Sequence, residues 1–153
     1  MVVVILTAVF AVALLAAVLV KRTRDQRELE LYSITPEALH DLLTSNEVLL
    51  FDVRQPLDLL GDSVIIPGAK WLAPQEILEN PSLLPREKDL VVYCTCPSAK
   101  TSRSILRRVL AMGWSRIKFL KGGLDGWRAK GFPVERYDKP FHLYPAKSTA
   151  IAS

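Results

Sequence analysis

The stretch "VVYCTCPSAKTSRSIL", Val91 to Leu106, passes from a β-branched apolar run into a polar turn and then into a helical pattern. Cys94 closes the apolar run that begins at Leu90, and Cys96 follows two residues later. A strand that ends in a loop and feeds a helix is the unit from which parallel α/β sheets are built, and such sheets place ligands at the carboxyl ends of their central strands. Backbone N–H groups of the turn and of the first helical residues converge there and favour an anion, a thiolate included. A cysteine at this address is either an activated nucleophile or a small buried side chain packing the strand end, and spacing alone leaves both readings open.

Charge favours the first reading. From Cys94 to Leu124 there are seven basic residues, Lys100, Arg103, Arg107, Arg108, Arg116, Lys118 and Lys121, and no acidic one; the next carboxylate is Asp125. A local positive field stabilises a thiolate and draws anionic substrates. The helical period puts Arg107 and Arg108 on a solvated face, so Lys100 and Arg103, nearest the turn, are the better candidates for contacts within a site.

Working outward, "VLLFDV" (Val48 to Val53) and "DLVVYC" (Asp89 to Cys94) are continuous apolar runs of strand length, and "RIKFL" (Arg116 to Leu120) is a third strand. Runs apolar on both faces fit central strands of a parallel sheet. Thr35 followed by Pro36 marks a helix start, a short helix begins at Pro74, and "SLLPREK" reads as a loop. Ile105, Leu106, Val109 and Leu110 recur at helical spacing until Gly113 ends that helix, and "KGGLDGWRAKGFP" supplies a glycine turn, a short helix carrying Trp127 and a stop at Gly131.

The amino terminus is apolar from Val2 to Val20 except for Thr7, and "KRTRDQR" follows at once. A helix over that run is about 28 Å long, close to the roughly 30 Å of a hydrocarbon core. A cleaved signal peptide is the rival, but no positive segment precedes the run and its one A-x-A triplet, Ala11-Val12-Ala13, lies inside it. Lys21, Arg22, Arg24 and Arg27 all follow the span, which places the remainder of the protein on the cytoplasmic side, where thiols stay reduced. The expected organisation is a membrane anchor over 1–20, a basic juxtamembrane linker or continuing helix over 21–33, an α/β domain over 34–136, and an irregular tail over 137–153. The 153 residues are half apolar, enough for one core beside the anchor. Two cysteines build no disulfide framework and lack the partners of a zinc pattern, His40 and His142 are isolated, and a net charge of +4 does not point to nucleic acid.

Four stretches, in order, carry a resemblance to a known family: "FDVR" (Phe51 to Arg54), "IPGA" (Ile66 to Ala69), "VVYC" (Val91 to Cys94) and "LKGGLDGWRAKGFPVE" (Leu120 to Glu135). Over roughly Ile34 to Glu135 the chain resembles a rhodanese domain, a sulfurtransferase that carries sulfur as a cysteine persulfide. The resemblance implies a five-stranded parallel sheet with helices on both faces, Cys94 as the catalytic cysteine, and the loop after it as the substrate cradle. Two features depart from the usual pattern. Asp62 stands where a G-H-I-P-G-A histidine would be, with three extra residues before Pro67, and the loop from Cys94 to Lys100 is a C-x5-K rather than six residues ending in arginine. The longer register resembles the C-x5-R loop of dual-specificity phosphatases and also that of rhodanese domains attached to bacterial membrane proteins.

The expected function is therefore membrane-anchored sulfur transfer from thiosulfate or a similar anionic donor, through a Cys94 persulfide, to a thiol or cyanide acceptor. Thr95, Cys96, Pro97, Ser98, Ala99, Lys100, Thr101 and Arg103 are the expected substrate-binding residues, with no metal or organic cofactor. Asp52 and Arg54, at the end of their strand on the same edge as Cys94, either shape the mouth of the site or form a structural ion pair. Cys96 is either a resolving thiol or loop packing. The alternatives are phosphatase or arsenate-reductase chemistry, in which Lys100 replaces a bidentate fork by a point charge, and a non-catalytic module that tethers an unknown partner to the membrane.

Overall fold

The computed structural model describes residues 1–95 and 100–140, with side chains for all of these but 2–5. Cys96, Pro97, Ser98, Ala99, His142 and the tail from residue 141 lie outside the described residues. The chain divides into two units, Met1–Tyr32 and the residues from Ser33 onward.

The first unit is one helix, α1 (Val2–Leu31). It does not stop at the end of the apolar run: the basic residues from Lys21 to Arg27 are helical too, because nothing between Val20 and Leu31 is a glycine or proline. Among the described residues it is the one helix long and apolar enough to cross a membrane.

In the second unit, five parallel strands form a sheet in the order β1-β6-β5-β2-β4, where β1 is Ser33–Ile34, β2 Val48–Asp52, β4 Lys70–Trp71, β5 Asp89–Tyr93 and β6 Ile117–Leu120. The three strands read from apolar runs are its centre, and β5 lies in the middle. The edge strands β1 and β4 have two residues each, too few to show any period. So do β3 (Val64–Ile65) and β7 (Glu135–Arg136), which pair antiparallel as a separate ribbon.

Helices cover both faces. On one, α2 (Pro36–Thr44) and α6 (Gly123–Ala129) are tied by a Lys130–Glu37 ion pair at 2.6 Å and by His40, whose ring stacks on Phe132 at 4.5 Å and tilts toward Trp127. Thr35 caps α2 by accepting the Ala38 N–H, as its sequence position predicts. Leu39, Leu124 and Trp127 pack there against Leu50, Val91, Tyr93 and Leu120. On the other face lie α4 (Pro74–Glu79) and α5 (Lys100–Leu110), which pack on each other. Because strand side chains alternate, Leu90 and Val92 face this second layer, and Cys94 continues their series. A short helix absent from the sequence reading, α3 (Pro56–Gly61), follows β2, and "SLLPREK" begins with a 3₁₀ turn, Pro81–Leu83.

Candidate active site

Cys94 sits one residue beyond the end of central β5, between the two strands richest in contacts to it, and is 8 % exposed. What holds it there is legible in the glycines of "LKGGLDGW". Gly123 has a positive φ of 55°, and a β-carbon on it would stand 1.8 Å from the Cys94 carbonyl oxygen. Gly126 is constrained within the same turn, since its β-carbon would stand 2.6 Å from the Lys121 carbonyl oxygen. The turn between β6 and α6 is therefore pressed directly against the backbone of the cysteine, an approach only glycine permits.

The thiol faces the first turn of α5. Ser102 Oγ lies 3.2 Å from Cys94 Sγ, and Ser102 is buried. Sequence reasoning passed over this residue while naming its neighbours. The signal was available: Ser102 precedes Ile105 by three and Leu106 by four, so it belongs to the buried face of the same helix. Of the expected site residues, Lys100 is exposed at the first position of α5, Thr101 and Arg103 are half-buried in its first turn, and Thr95 is half-buried beside Cys94. The thiol itself contacts Ser102, and Cys96 to Ala99 lie outside the described residues.

Asp52 and Arg54 have no access to solvent, their side chains being 0 % exposed in an ion pair of 2.6 Å. The Arg54 guanidinium donates to both Asp52 carboxylate oxygens and to the backbone carbonyls of Asp62 (3.0 Å) and Val64 (2.7 Å). One buried arginine thus ties the end of β2 to the segment that leads into "IPGA". The neighbour of the cysteine joins the same network: the Tyr93 hydroxyl accepts the Ile66 N–H at 3.1 Å. Burial first, and then the nearby Asp52 carboxylate, push the Tyr93 phenol far above its ordinary value, so it stays protonated. Trp71 Nε1 donates to the Arg54 carbonyl at 3.0 Å, which adds β4 to the cluster.

Asp62, in the place of the histidine of the related pattern, makes a bidentate pair with Arg128 of α6 at 2.7 and 2.9 Å. The Arg128 hydrogen bonds hold its carboxyl below the usual carboxylate range. Asp62 therefore closes the α3–β3 turn onto α6. Among the described residues no group of three His, Cys, Asp or Glu side chains could hold a metal ion.

Comparison with known proteins fits this geometry. The rhodanese-like domain family matches residues 35–130. A sulfurtransferase of Allochromatium vinosum is 31 % identical over 66 % of this chain and 92 % of its own length. An uncharacterized protein of Synechocystis is 32 % identical over 67 % of this chain, which spans only about half, 55 %, of that relative. The crystal structure of a rhodanese-related protein from Thermoplasma volcanium shares the fold, with a TM-score of 0.57 over 67 % of this chain and 96 % of its own, at 24 % identity. The chain belongs to the rhodanese-like domain family.

Proposed function

We propose that the protein is a sulfurtransferase held at a membrane by α1, using Cys94 as the sulfur carrier. The observation that carries the reading is the seat of Cys94 past the end of the central strand, its thiol turned to the first turn of α5 and hydrogen-bonded there. In the loading step the thiolate attacks the outer sulfur of thiosulfate or a similar donor; a new S–S bond forms at Sγ, and sulfite leaves with the electrons of the bond that breaks. In the unloading step a thiolate or cyanide attacks the outer sulfur of the persulfide, and Cys94 leaves as thiolate. Lys100 and Arg103 supply positive charge where the donor arrives and where sulfite departs. The basic residues after Val20 favour a cytoplasmic position for the domain, on the side where low-molecular-weight thiols abound.

The test is intact mass analysis of the full chain in detergent micelles after thiosulfate treatment. Gain of one sulfur, lost again on adding cyanide and absent in Cys94→Ser, is the expected result. A mass unchanged by thiosulfate and by other sulfane donors would overturn the reading. A reagent for thiols that cannot cross membranes, applied to intact cells, should leave Cys94 unlabelled.

A further inference from the structure

The buried residues of α5 are Ser102, Ile105, Leu106 and Val109, and Ser102 is the polar one. At 5 % exposure its hydroxyl cannot rely on water, and a buried hydroxyl requires a partner. That partner is Cys94 Sγ, at 3.2 Å. With a neutral thiol either atom can donate. Once Cys94 ionises, only the hydroxyl still carries a hydrogen, so the contact becomes a charge-assisted O–H···S⁻ bond.

We infer that Ser102 stabilises Cys94 as a leaving group, and so acts on the unloading of sulfur more than on its loading. The inference rests on the sulfurtransferase reading above. In loading, the negative charge begins on Sγ and ends on the outer sulfur of the persulfide, while sulfite takes the electron pair of the broken bond. Sγ becomes a neutral, two-bonded sulfur, and the hydrogen bond from Ser102 weakens as the reaction proceeds. In unloading, an acceptor thiolate or cyanide bonds to the outer sulfur, the S–S bond breaks, and its electron pair returns to Sγ. Charge then develops next to the Ser102 hydroxyl, which is already in place to receive it. The same bond that assists departure makes the resting thiolate a slightly weaker nucleophile. A hydroxyl in this position therefore trades loading speed for unloading speed.

The two half-reactions separate in single-turnover experiments on the full chain in detergent micelles. Protein loaded with thiosulfate and freed of donor is mixed with cyanide, and the extra sulfur is followed by mass after timed quenching. Ser102→Ala is expected to unload about three to ten times more slowly, and its alkylation by iodoacetamide to move about one pH unit upward, the size expected for loss of one charge-assisted hydrogen bond. At a pH above both alkylation midpoints its loading rate should equal or exceed that of the wild type. Ser102→Thr, which keeps the hydroxyl, should restore both properties. A merely structural defect would slow both half-reactions alike, and that outcome, or an unmoved alkylation profile, overturns the inference. If Ser102→Ala does not fold, Ser102→Thr against the isosteric Ser102→Val carries the same comparison. Should no variant gain sulfur, the sulfurtransferase reading fails, and the alkylation profile alone decides whether Ser102 stabilises the thiolate.

Discussion

Gly123 packs against the Cys94 carbonyl with no room for a β-carbon, and this sets up the sharpest test of how the cysteine is held. In Gly123→Ala the new β-carbon would begin 1.8 Å from that oxygen and 3.1 Å from its carbon. Real β-carbons do not come nearer than 3.0 Å, so one backbone or the other has to retreat by about 1.2 Å, the difference of the two distances. Both partners are backbone, and neither can swing aside as a long side chain would. A φ of 55° adds roughly 1–2 kcal/mol for any residue with a β-carbon, and overpacking of this kind typically costs about 1–3 kcal/mol more. The sum, about 2–5 kcal/mol, should lower the melting temperature by about 10 °C or more for a domain of this size. Displacing the nucleophile by about 1 Å should also cost about a hundredfold in the rate of sulfur transfer. The control is Gly61→Ala at the end of α3, where no atom lies within 4 Å of the added carbon. Melting followed by near-ultraviolet circular dichroism, with Cys94 alkylation rates below the transition, measures both effects. If Gly123→Ala melts within about 2 °C of the wild type, as the control should, and keeps its thiol reactivity, then the β6–α6 turn does not hold the cysteine.

Three further outcomes follow from the network around the site. Arg54→Met leaves the Asp52 carboxylate buried without its cation and should cost about 3–5 kcal/mol in denaturant unfolding, much of it regained in Arg54→Met/Asp52→Leu; an exposed role at the site mouth would show little loss of stability. Because the folded-state value of Asp62 is lowered by Arg128, the pair stabilises above the unfolded value of about 3.9 and its contribution is lost as pH falls through the folded value. Both side chains are partly exposed, so Asp62→Asn should cost only about 0.5–1 kcal/mol at neutral pH, with the gap to wild type closing below about pH 4 in urea titrations. Lys100→Ala should raise the thiosulfate concentration needed for half-maximal loading several-fold while leaving the saturated loading rate within about twofold, since a point charge near an anion adds binding more than bond-making; an unchanged concentration dependence removes Lys100 from the site.

How far the sequence reaches differs between the sheet and its site. The central strands were legible because Val48–Asp52 and residues 90–93 are buried or nearly so at every position, and Ile117–Leu120 at all but Lys118, so their composition announces them. The two-residue strands were not, since their pairing is decided by neighbours rather than by their own residues: Ser33 and Ile34 are strand only because Phe119 and Leu120 lie opposite. The long helix α5 was legible from its period, but the same period carried Ser102 onto the buried face, and a polar residue among apolar ones is easily read as the end of the pattern. Gly123 and Gly126 were legible as a glycine turn and as part of a family pattern, but not as the places where backbone meets backbone. For Gly126 the reason is the Lys121 carbonyl of its own turn; for Gly123 it is the Cys94 carbonyl, and exists only once the β6–α6 turn has folded against the end of β5.

That separation also describes how the site divides its labour. Cys94 is supported on the side of α6 by Gly123, and on the side of α5 by Ser102. Beneath it, Tyr93 hydrogen-bonds Ile66, and Arg54 fastens Asp52 to Asp62 and Val64. Every one of these supports belongs to a strand end, a helix turn or a buried ion pair, and each would cost stability if altered. The residues proposed to meet an incoming donor, by contrast, begin with an exposed lysine on the first position of α5. Changes there alter charge and shape without disturbing the core, because surface substitutions away from buried networks move stability by only about 0.5 kcal/mol. On the proposed reading, the buried groups would govern the reactivity of the sulfur and the exposed start of α5 the choice of donor. On this division, exchanging Lys100 for arginine should change which anions load Cys94 while leaving its alkylation profile where Ser102 sets it.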